Sequence, residues 1–392
     1  MQKKTVRDIE TAEKTVLVRA DFNVPLDGRR VADDTRIRAA LPTIQWLVER
    51  DAKILLCSHL GRPGGRVVDD LRLDPVAERL AALLDRSVAK SDDCVGKDVE
   101  ARVRRLQRGG LLLLENVRFH PEEKNNEPTF AEALAKPADL FVNDAFAAAH
   151  RAHASTEGVA HHVPAVAGLL MEEEIETIAA ALESPQRPLM AILGGAKISD
   201  KLAAVDRLLE IADRVLVGGG IANTLLRARG EAMGSSLVDE EGLEAASRIL
   251  QDAGDKLLLP VDAGIAEEAE AGATRRTVSV EDIPKGRKML DLGPRTVERF
   301  LGALAEAKTI VWNGPLGVFE IEAFSNATFS IARALPNSNA QTIVGGGETA
   351  AAIVRAGVSE GLSHVSTGGG AFLALVAGEE LPAVVALQNR GS

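Results

Sequence analysis

Basic and amide side chains follow four apolar, strand-like runs in the first 150 residues. The runs are TVLVRADFN, AKILLCSHLGRP, LLLLENVRFH and LFVNDAFAAAHRAH, at 15–23, 52–63, 111–120 and 140–153. In an open parallel sheet, ligands bind in the crevice beyond the carboxyl ends of the strands. The pattern therefore predicts that one sheet edge gathers Asn23, His59, Arg62, Arg118, His150 and Arg151. Because the chain has a formal net charge of -11, we interpret this concentration of cations as a site for a small, highly charged anion.

Glycines and lysines mark the second half of the chain. The segment GGAKISDK (194–201) follows a strand-like run and opens a helical pattern. Glycines let a phosphate approach the backbone, and a helix N-terminus favours an anion. Lys197 and Lys201 are four residues apart, so we expect both ammonium groups on one helix face, an arrangement that suits a polyphosphate. A strand-to-helix turn with solvated lysines explains this segment alone equally well.

Three GGG runs, at 218–220, 345–347 and 368–370, each follow another strand-like run. Glycine N–H groups can cradle phosphate oxygens, and Glu348 in GGGET could reach a divalent cation. A single GGG is more often a tight turn, but three in one half favour a nucleotide site. In VWNGPLGVFE (311–320), an Asn-Gly-Pro turn precedes Glu320, an acid that could bind ribose hydroxyls.

Strand-like and helical patterns alternate along the whole chain, which predicts an α/β architecture with largely parallel sheets. Helical spacing covers 35–50 and 73–85, and the strand runs of the second half cover 189–195, 214–220, 256–262, 309–315, 342–347 and 364–370. The first half ends its strands on Arg and His and the second half on glycines, which predicts two domains with two ligands. Between them, 171–188 contains an amphipathic helix stopped by Ser184-Pro185. We interpret it as a connector; the alternative is a surface helix with an acidic first turn.

Composition excludes several classes of protein. At 392 residues the chain exceeds the size at which one hydrophobic core stops growing. No apolar run approaches the roughly 20 residues needed to cross a bilayer, and the start lacks a signal-peptide pattern, so we expect a cytoplasmic protein without a membrane partner. Two cysteines are too few for a disulfide framework, and we expect Cys57 to be a small buried hydrophobe. An acidic chain with no Tyr and two Trp argues against nucleic-acid binding.

The chain closely resembles the phosphoglycerate kinase family from VRADFNVP (18–25) to LPAVVAL (381–387). The matching segments, in family order, are RADFNVP, DDTRI, SHLGRP, LLENVRFH, AHRAH, LGGAKISDK, the GGG loops and WNGPLGVFE. The resemblance implies a monomer of two doubly wound domains, joined by a helix, with a cleft between them. It places an N-terminal domain at 1–170, a connecting helix at 171–184 and a nucleotide domain at 185–377. The C-terminal tail, about 378–392, would pack back on the N-terminal domain.

The resemblance also implies two sets of site residues. The 3-phosphoglycerate set is Asp21, Asn23, Arg36, His59, Arg62, Arg118 and Arg151. The nucleotide set is Lys197, Lys201, Gly293, Asn313, Glu320, Gly346, Gly347, Glu348 and Thr349. Arg36, Lys197 and Lys201 would be catalytic, and Glu348 would act on Mg²⁺ directly or through water. The residue types alone do not separate Arg36 from Arg38.

Two positions depart from the common family pattern. The family usually has Asp where this chain has Glu348, and often Gly-Thr where it has Ala147 and Ala148. Neither change removes a charge from the implied site.

The reaction implied is reversible phosphoryl transfer between 1,3-bisphosphoglycerate and ADP, giving 3-phosphoglycerate and ATP. Both nucleophiles, a carboxylate and a phosphate oxygen, are already anionic at neutral pH, so no general base is required. The work of the protein is to align two anions and neutralise the charge that moves between them. The alternatives are a catalytically inactive sensor of phosphorylated metabolites with the same fold, or a protein that binds nucleic-acid backbone.

Overall fold

The computed structural model describes residues 3–391, which divide into two compact units. Unit 1 comprises residues 3–176 and 380–391, and unit 2 comprises residues 177–379. The division at Glu176/Thr177 falls inside one α-helix, Leu169–Glu183.

A six-stranded parallel sheet forms the centre of unit 1. Its strands are β1 (Thr15–Arg19), β4 (Lys53–Cys57), β5 (Val88–Lys90), β6 (Leu111–Leu113), β7 (Leu140–Asn143) and β8 (Ala165–Ala167). The order is β5-β6-β4-β1-β7-β8, so the four runs predicted from the sequence are neighbours. In register, Arg19 pairs with Cys57 on one side and Asn143 on the other. Parallel pairing brings the carboxyl ends of these strands to one edge, as predicted.

Helices α1 (Thr35–Val48) and α2 (Asp74–Leu84) share a core with the branched side chains of this sheet. The helices that follow are α3 (Lys97–Arg105), α4 (Pro121–Lys124), α5 (Pro128–Ala135) and α6 (Leu169–Glu183), and α6 spans the division between the units. A two-stranded hairpin, β2 (Leu26–Asp27) and β3 (Arg30–Val31), precedes α1. Val16, Val18, Ile54 and Leu56 lie fully buried with α1 residues in one core. The continuous apolar runs therefore form strands that are covered on both faces.

The last residues of the chain belong to unit 1. After helix α14 (Pro382–Val385), the Gln388 N–H donates to the Ala165 carbonyl at 2.9 Å, and its own carbonyl accepts from the Lys4 N–H at 2.8 Å. Arg390 pairs with Asp8 at 3.0 Å and with Glu172 at 3.1 Å. Lys4 and Gln388 are thus held beside β8 by hydrogen bonds.

Unit 2 contains a second parallel sheet and a small antiparallel one. The parallel strands are β9 (Leu189–Leu193), β10 (Arg214–Val217), β11 (Leu257–Leu258), β15 (Thr309–Asn313), β16 (Gln341–Gly345) and β17 (His364–Val365), in the order β11-β10-β9-β15-β16-β17. The antiparallel strands are β12 (Asp262–Ala266), β13 (Arg276–Ser279) and β14 (Lys288–Leu292). The helices are α7 (Leu202–Ile211), α8 (Gly219–Arg229), α9 (Leu243–Ala253), α10 (Pro294–Ala305), α11 (Asn326–Ala334), α12 (Gly347–Ala356) and α13 (Gly369–Val376).

The predicted α/β class with two domains built on parallel sheets is confirmed. The antiparallel sheet was not predicted. The run at 256–262, expected as one strand, contains the whole of β11 and the first residue of β12. Within residues 3–391, no helix has both the length and the apolar character needed to cross a membrane.

Candidate functional site

The predicted anion site of unit 1 is built on the loops that follow β1, β4, β6 and β7. Two hydrogen bonds fix the first two loops to each other: the Phe22 N–H donates to the Ser58 hydroxyl at 2.9 Å, and the Gly61 N–H donates to the Asn23 side-chain oxygen at 2.8 Å. Gly61 has a φ of +63°, a conformation that glycine adopts without steric cost. The loops are therefore braced before any ligand binds.

Burial and neighbouring arginines keep His59 in its neutral form. Arg19, the last residue of β1, is 1% exposed; its Nε donates to the Ser155 hydroxyl at 2.8 Å and its Nη2 to His59 Nδ1 at 3.0 Å. Because a guanidinium has no acceptor, Nδ1 must be the acceptor and the ring proton lies on Nε2. Burial, together with Arg19, Arg118, Arg151 and Arg36, holds the His59 pKa well below 6.5. His59 is therefore a neutral hydrogen-bond donor at neutral pH.

Arg118 is a buried cation that lacks a full set of partners. It is 6% exposed and its Nη1 donates to the Gly61 carbonyl at 2.9 Å, but among residues 3–391 its Nε finds no hydrogen-bond partner. Burial, then the neighbouring Arg19 and Arg151, lowers the Arg118 pKa to about 10. Because these cations repel one another, an anion that binds among them would be favoured.

Arg36 and Asp21 form an ion pair at the same place. Arg36 is the second residue of α1, and its Nη1 contacts the Asp21 carboxylate. The other oxygen of Asp21 accepts from the Asn23 N–H at 3.2 Å. The structure thus ties the start of α1 to the loop after β1.

The structure brings most of the predicted substrate set together around His59. Electrostatic coupling joins it to Arg36, Arg118 and Arg151, and Asp21 lies 3.9 Å from its Nδ1. Arg151 is exposed and donates to the His150 ring at 3.1 Å. Arg62 is exposed in the loop after Gly61.

Three residues that support this site were not predicted: Arg19, Glu123 and Ser155. The Glu123 carboxylate, fully buried, accepts from the Ser155 N–H at 2.9 Å and from its hydroxyl at 2.7 Å. It supplies a negative charge near Arg118, which partly offsets the lowering of the Arg118 pKa by burial and by the neighbouring cations. The sequence could have indicated Arg19, because this arginine ends the apolar run TVLVR. Glu123 lies in PEEK, a segment typical of the start of a helix, so its role could not be predicted from the sequence.

In unit 2 the two predicted lysines differ in their surroundings. Lys201 ends a 3-10 turn before α7, and its Nζ donates to the Gly194 carbonyl at 2.8 Å and to the Asn313 side-chain oxygen at 2.6 Å. Burial lowers the Lys201 pKa to about 8, although Glu348 and Asp200 act to raise it. Lys197 is exposed in the loop before that turn. The prediction that both lysines share one helix face is wrong, because the α-helix begins only at Leu202.

Each GGG run lies between a strand and a helix. Gly218, Gly346 and Gly368 directly precede α8, α12 and α13. In the first run the glycines permit close packing: a Cβ on Gly220 would lie 2.0 Å from the Ala196 carbonyl, and one on Gly218 would lie 2.5 Å from the Leu316 side chain. These contacts bring three loops together beside α8.

A cavity of about 460 Å³ opens among these loops. Apolar atoms dominate its lining, and two exposed carboxylates, Glu320 and Glu348, stand on it. The lining also includes Gly219, Gly220, Leu237, Met289, Pro315 and Val318. A cavity of this size with few polar groups is typical of a small-molecule site. Met289 was missed because it lies on β14 of the unpredicted antiparallel sheet.

The remaining predicted residues of unit 2 form the framework beside the cavity. Asn313 ends β15 and donates to the Gly345 carbonyl at 3.0 Å, and the Thr349 hydroxyl accepts from the Gly314 N–H at 2.7 Å. Gly346 and Gly347 begin the exposed turn into α12. Gly293 is buried at the start of α10, where a Cβ would lie 2.2 Å from the Asp262 carboxyl carbon. Gly293 thus packs closely against Asp262 and does not line the cavity.

Comparisons with known proteins agree with this architecture. A sequence model described as phosphoglycerate kinase matches residues 6–379. A phosphoglycerate kinase of Moorella thermoacetica is 53% identical over 393 residues, which is 100% of both chains. One of Rubrobacter xylanophilus is 53% identical over 390 residues, covering 100% of this chain and 99% of the relative.

Solved structures extend the agreement to three dimensions. The phosphoglycerate kinase of Coxiella burnetii superposes with a TM-score of 0.88 at 41% identity, and 98% of each chain is covered. That of Pyrococcus horikoshii gives 0.87 at 35% identity, again over 98% of each chain. Fold, sequence and the paired anion and nucleotide-sized sites converge on one conclusion: this chain belongs to the phosphoglycerate kinase family, the kinases that transfer a phosphoryl group between a nucleotide and the carboxyl group of phosphoglycerate.

Proposed function

We propose that this chain transfers the phosphoryl group reversibly between 1,3-bisphosphoglycerate and ADP, with the glycerate substrate held by unit 1 and the nucleotide by unit 2. The observation that carries the assignment is the cluster of cations around Arg118 in unit 1. Arg118 is buried with an unpartnered Nε, and its pKa is lowered to about 10 by burial and by the neighbouring cations. A phosphate or carboxylate would satisfy both the hydrogen-bonding and the charge requirement.

On unit 1, the arginines and His59 hold the two anionic ends of the substrate. Planar guanidinium groups match phosphate and carboxylate oxygens in pairs. Neutral His59 donates through Nε2 without adding a charge. Asp21 and Asn23 bind the 2-hydroxyl, and the residues that hold phosphate and carboxylate are His59, Arg62, Arg118 and Arg151.

On unit 2, the cavity takes the base and ribose, and Glu320 binds the ribose hydroxyls. The phosphates then lie near Lys197, Lys201 and the N-terminus of α12, where backbone N–H groups and the helix dipole favour anions. Lys201 is already positioned by Asn313 and Gly194. Gly293, Gly346, Gly347 and Thr349 complete the proposed nucleotide set.

Glu348 suits a magnesium ion carried by the nucleotide. Its carboxylate is exposed in the first turn of α12, lines the cavity and acts electrostatically on Lys201. Carboxylate oxygen is a preferred ligand of Mg²⁺, which also keeps several waters, so Glu348 can act directly or through water. When bound, Mg²⁺ neutralises phosphate charge.

The chain needs no general base, because both nucleophiles are anionic at neutral pH. Its residues align the two substrates and offset the charge on the transferring group. Arg36 performs this role from unit 1, and Lys197 and Lys201 perform it from unit 2. We propose that the protein works as a cytoplasmic monomer that changes shape by hinge-bending and acts on small molecules without a nucleic-acid or membrane partner.

Arg36→Ala tests the assignment. If Arg36 offsets the charge of the transferring phosphoryl group, its removal should lower kcat by roughly 10³–10⁵, as arginines in this role do in other phosphoryl transfers, and change KM much less. Steady-state kinetics with ATP and 3-phosphoglycerate in a coupled assay measure both constants. The matched control is Arg38→Ala, on the same helix, because Arg38 pairs with Asp34 instead. A kcat within about threefold of the parent would reject the role of Arg36. Absence of turnover in the parent would favour the inactive sensor.

A further inference from the structure

Three side chains with metal-binding atoms lie together in unit 1. They are Asp93, Cys94 and His120, and one ligand atom of each lies within 4.8 Å of the other two. Asp93 and Cys94 belong to the loop after β5, whereas His120 follows the 3-10 turn Val117–Phe119. Neither the substrate set nor the nucleotide set contains any of them.

The three ligand types match zinc rather than magnesium. Cysteine sulfur, histidine nitrogen and carboxylate oxygen all bind Zn²⁺ at about 2.0–2.3 Å, which places neighbouring ligands of a tetrahedral site about 3.4–3.6 Å apart. The three ligand atoms lie within 4.8 Å of one another, and Asp93 Oδ1 is 2.7 Å from His120 Nε2, so a tetrahedral site requires shifts of roughly 1 Å. Asp93 is exposed and His120 partly exposed, so these side chains can make that shift, while buried Cys94 is the fixed point.

Existing contacts already hold the three groups in place. Asp93 Oδ1 lies 2.7 Å from His120 Nε2 and accepts from the Cys94 N–H at 2.7 Å. The His120 ring packs on Phe130 with centroids 5.0 Å apart. The Asp93 carbonyl accepts from the Ser91 hydroxyl, which fixes the loop. A cation would replace the hydrogen bond between the imidazole and the carboxylate.

We propose that Asp93, Cys94 and His120 form a site for a divalent transition metal, best matched by Zn²⁺, with water as the fourth ligand. Binding exchanges the thiol proton for a metal–sulfur bond, and the proton passes to solvent. A thiolate ligand discriminates against Mg²⁺, which prefers oxygen. Mg²⁺ at the concentrations used for MgATP therefore does not compete.

Occupancy would connect two segments that are distant in sequence. The metal would join the loop after β5 to the segment that carries Arg118, two residues before His120. A ligand that binds only the folded state raises stability by mass action. We therefore expect Zn²⁺ to raise the melting temperature of the whole chain.

The test uses the full-length protein after removal of metals with a chelator. Calorimetric titration with ZnCl₂ in excess Mg²⁺ should show one Zn²⁺ per chain. Thermal unfolding under the same conditions should show the higher melting temperature. Titration with CoCl₂ should show the charge-transfer absorption of a cobalt–thiolate bond. Cys94→Ser should abolish that absorption and Cys57→Ser should retain it, because Cys57, the other cysteine, lies outside the cluster.

His120 provides a second variant if Cys94→Ser does not fold, because its side chain is partly exposed. His120→Asn should weaken Zn²⁺ binding by at least about tenfold, since even outer-shell changes cost 10–100-fold in metal affinity. Asp92→Asn, at an exposed neighbouring acid, should leave the affinity unchanged. No stoichiometric binding by the parent, or equal binding by the parent and His120→Asn, would overturn the proposal.

Discussion

At the scale of single residues, the candidate site is marked by cationic side chains whose burial disfavours their charged form. Arg19 and Arg118 are buried near each other, and burial together with these cations holds the His59 pKa well below 6.5. Lys201 shows the same effect in unit 2, where burial lowers its pKa to about 8. Such perturbed groups are concentrated at functional sites, where a ligand of opposite charge completes the balance.

Lys201 gives a prediction for pH dependence. Because its pKa is lowered to about 8, the ligand-free protein loses the ammonium charge as pH rises through that value. We expect kcat/KM for MgATP, which reports the free enzyme, to fall above about pH 8. Bound phosphates stabilise the ammonium, so kcat should fall only at higher pH. Initial rates measured across this range check both profiles.

Lys201→Arg is the diagnostic variant, because a guanidinium stays protonated throughout this range. The alkaline fall in kcat/KM should disappear in Lys201→Arg and persist in Lys197→Arg, whose parent lysine is exposed. Superposable profiles for the parent and Lys201→Arg would assign the fall to another group.

At the scale of elements, a strand, a glycine run and a helix recur in unit 2. Helices α8, α12 and α13 all begin inside a GGG run. In α8 the glycines are required by close packing against neighbouring loops. In α12, Gly346 has a φ of +100° and Glu348 occupies the first turn. An acid there can serve either a metal or the helix dipole.

Glu348→Gln separates these two roles. If Glu348 acts on the nucleotide-bound Mg²⁺, the variant should bind MgADP about tenfold more weakly, equivalent to ~1.4 kcal/mol, and should require more magnesium. If it serves only the helix, the melting temperature should fall slightly while affinity stays the same. Calorimetric titration with MgADP at several magnesium concentrations measures the difference. Glu360→Gln, at another exposed acid of unit 2, is the control.

Sequence patterns predicted four strands of the parallel sheet in unit 1 and all six of the parallel sheet in unit 2, because those strands lie in apolar runs between helical segments. The three-residue strands β5 and β8 were not predicted. Helix α1, for example, was expected at 35–50 and covers Thr35–Val48. The antiparallel sheet lacks such a signal: β12 contains Gly264, and β13 is the largely polar RTVS. Its burial comes from tertiary packing, and so does the contribution of Met289 to the cavity. The contrast between Lys197 and Lys201 also depends on where the helix starts, which spacing alone does not fix.

At the scale of the whole molecule, the proposed function assigns the two substrates to different units. Phosphoryl transfer requires the two bound anions to meet, so we expect the compact arrangement to be most populated when both are present. A ligand shifts an equilibrium only by its differential affinity for the two states. Small-angle scattering should therefore give a smaller radius of gyration with 3-phosphoglycerate plus MgADP, a pair that cannot react, than with either alone.

Measurements with each single ligand at matched ionic strength serve as controls for this prediction. Equal radii of gyration for the doubly and singly bound states would contradict it.

The tail that completes unit 1 also affects the order in which a newly made chain can fold. Residues 380–391 supply partners for Lys4, Asp8, Ala165 and Glu172, yet they are synthesised after all of unit 2. At about 5–20 residues per second, the roughly 200 intervening residues delay them by roughly 10–40 s. During that interval the nascent unit 1 lacks the contacts that residues 380–391 supply. Unit 1 therefore gains its full set of contacts only after unit 2 has been synthesised.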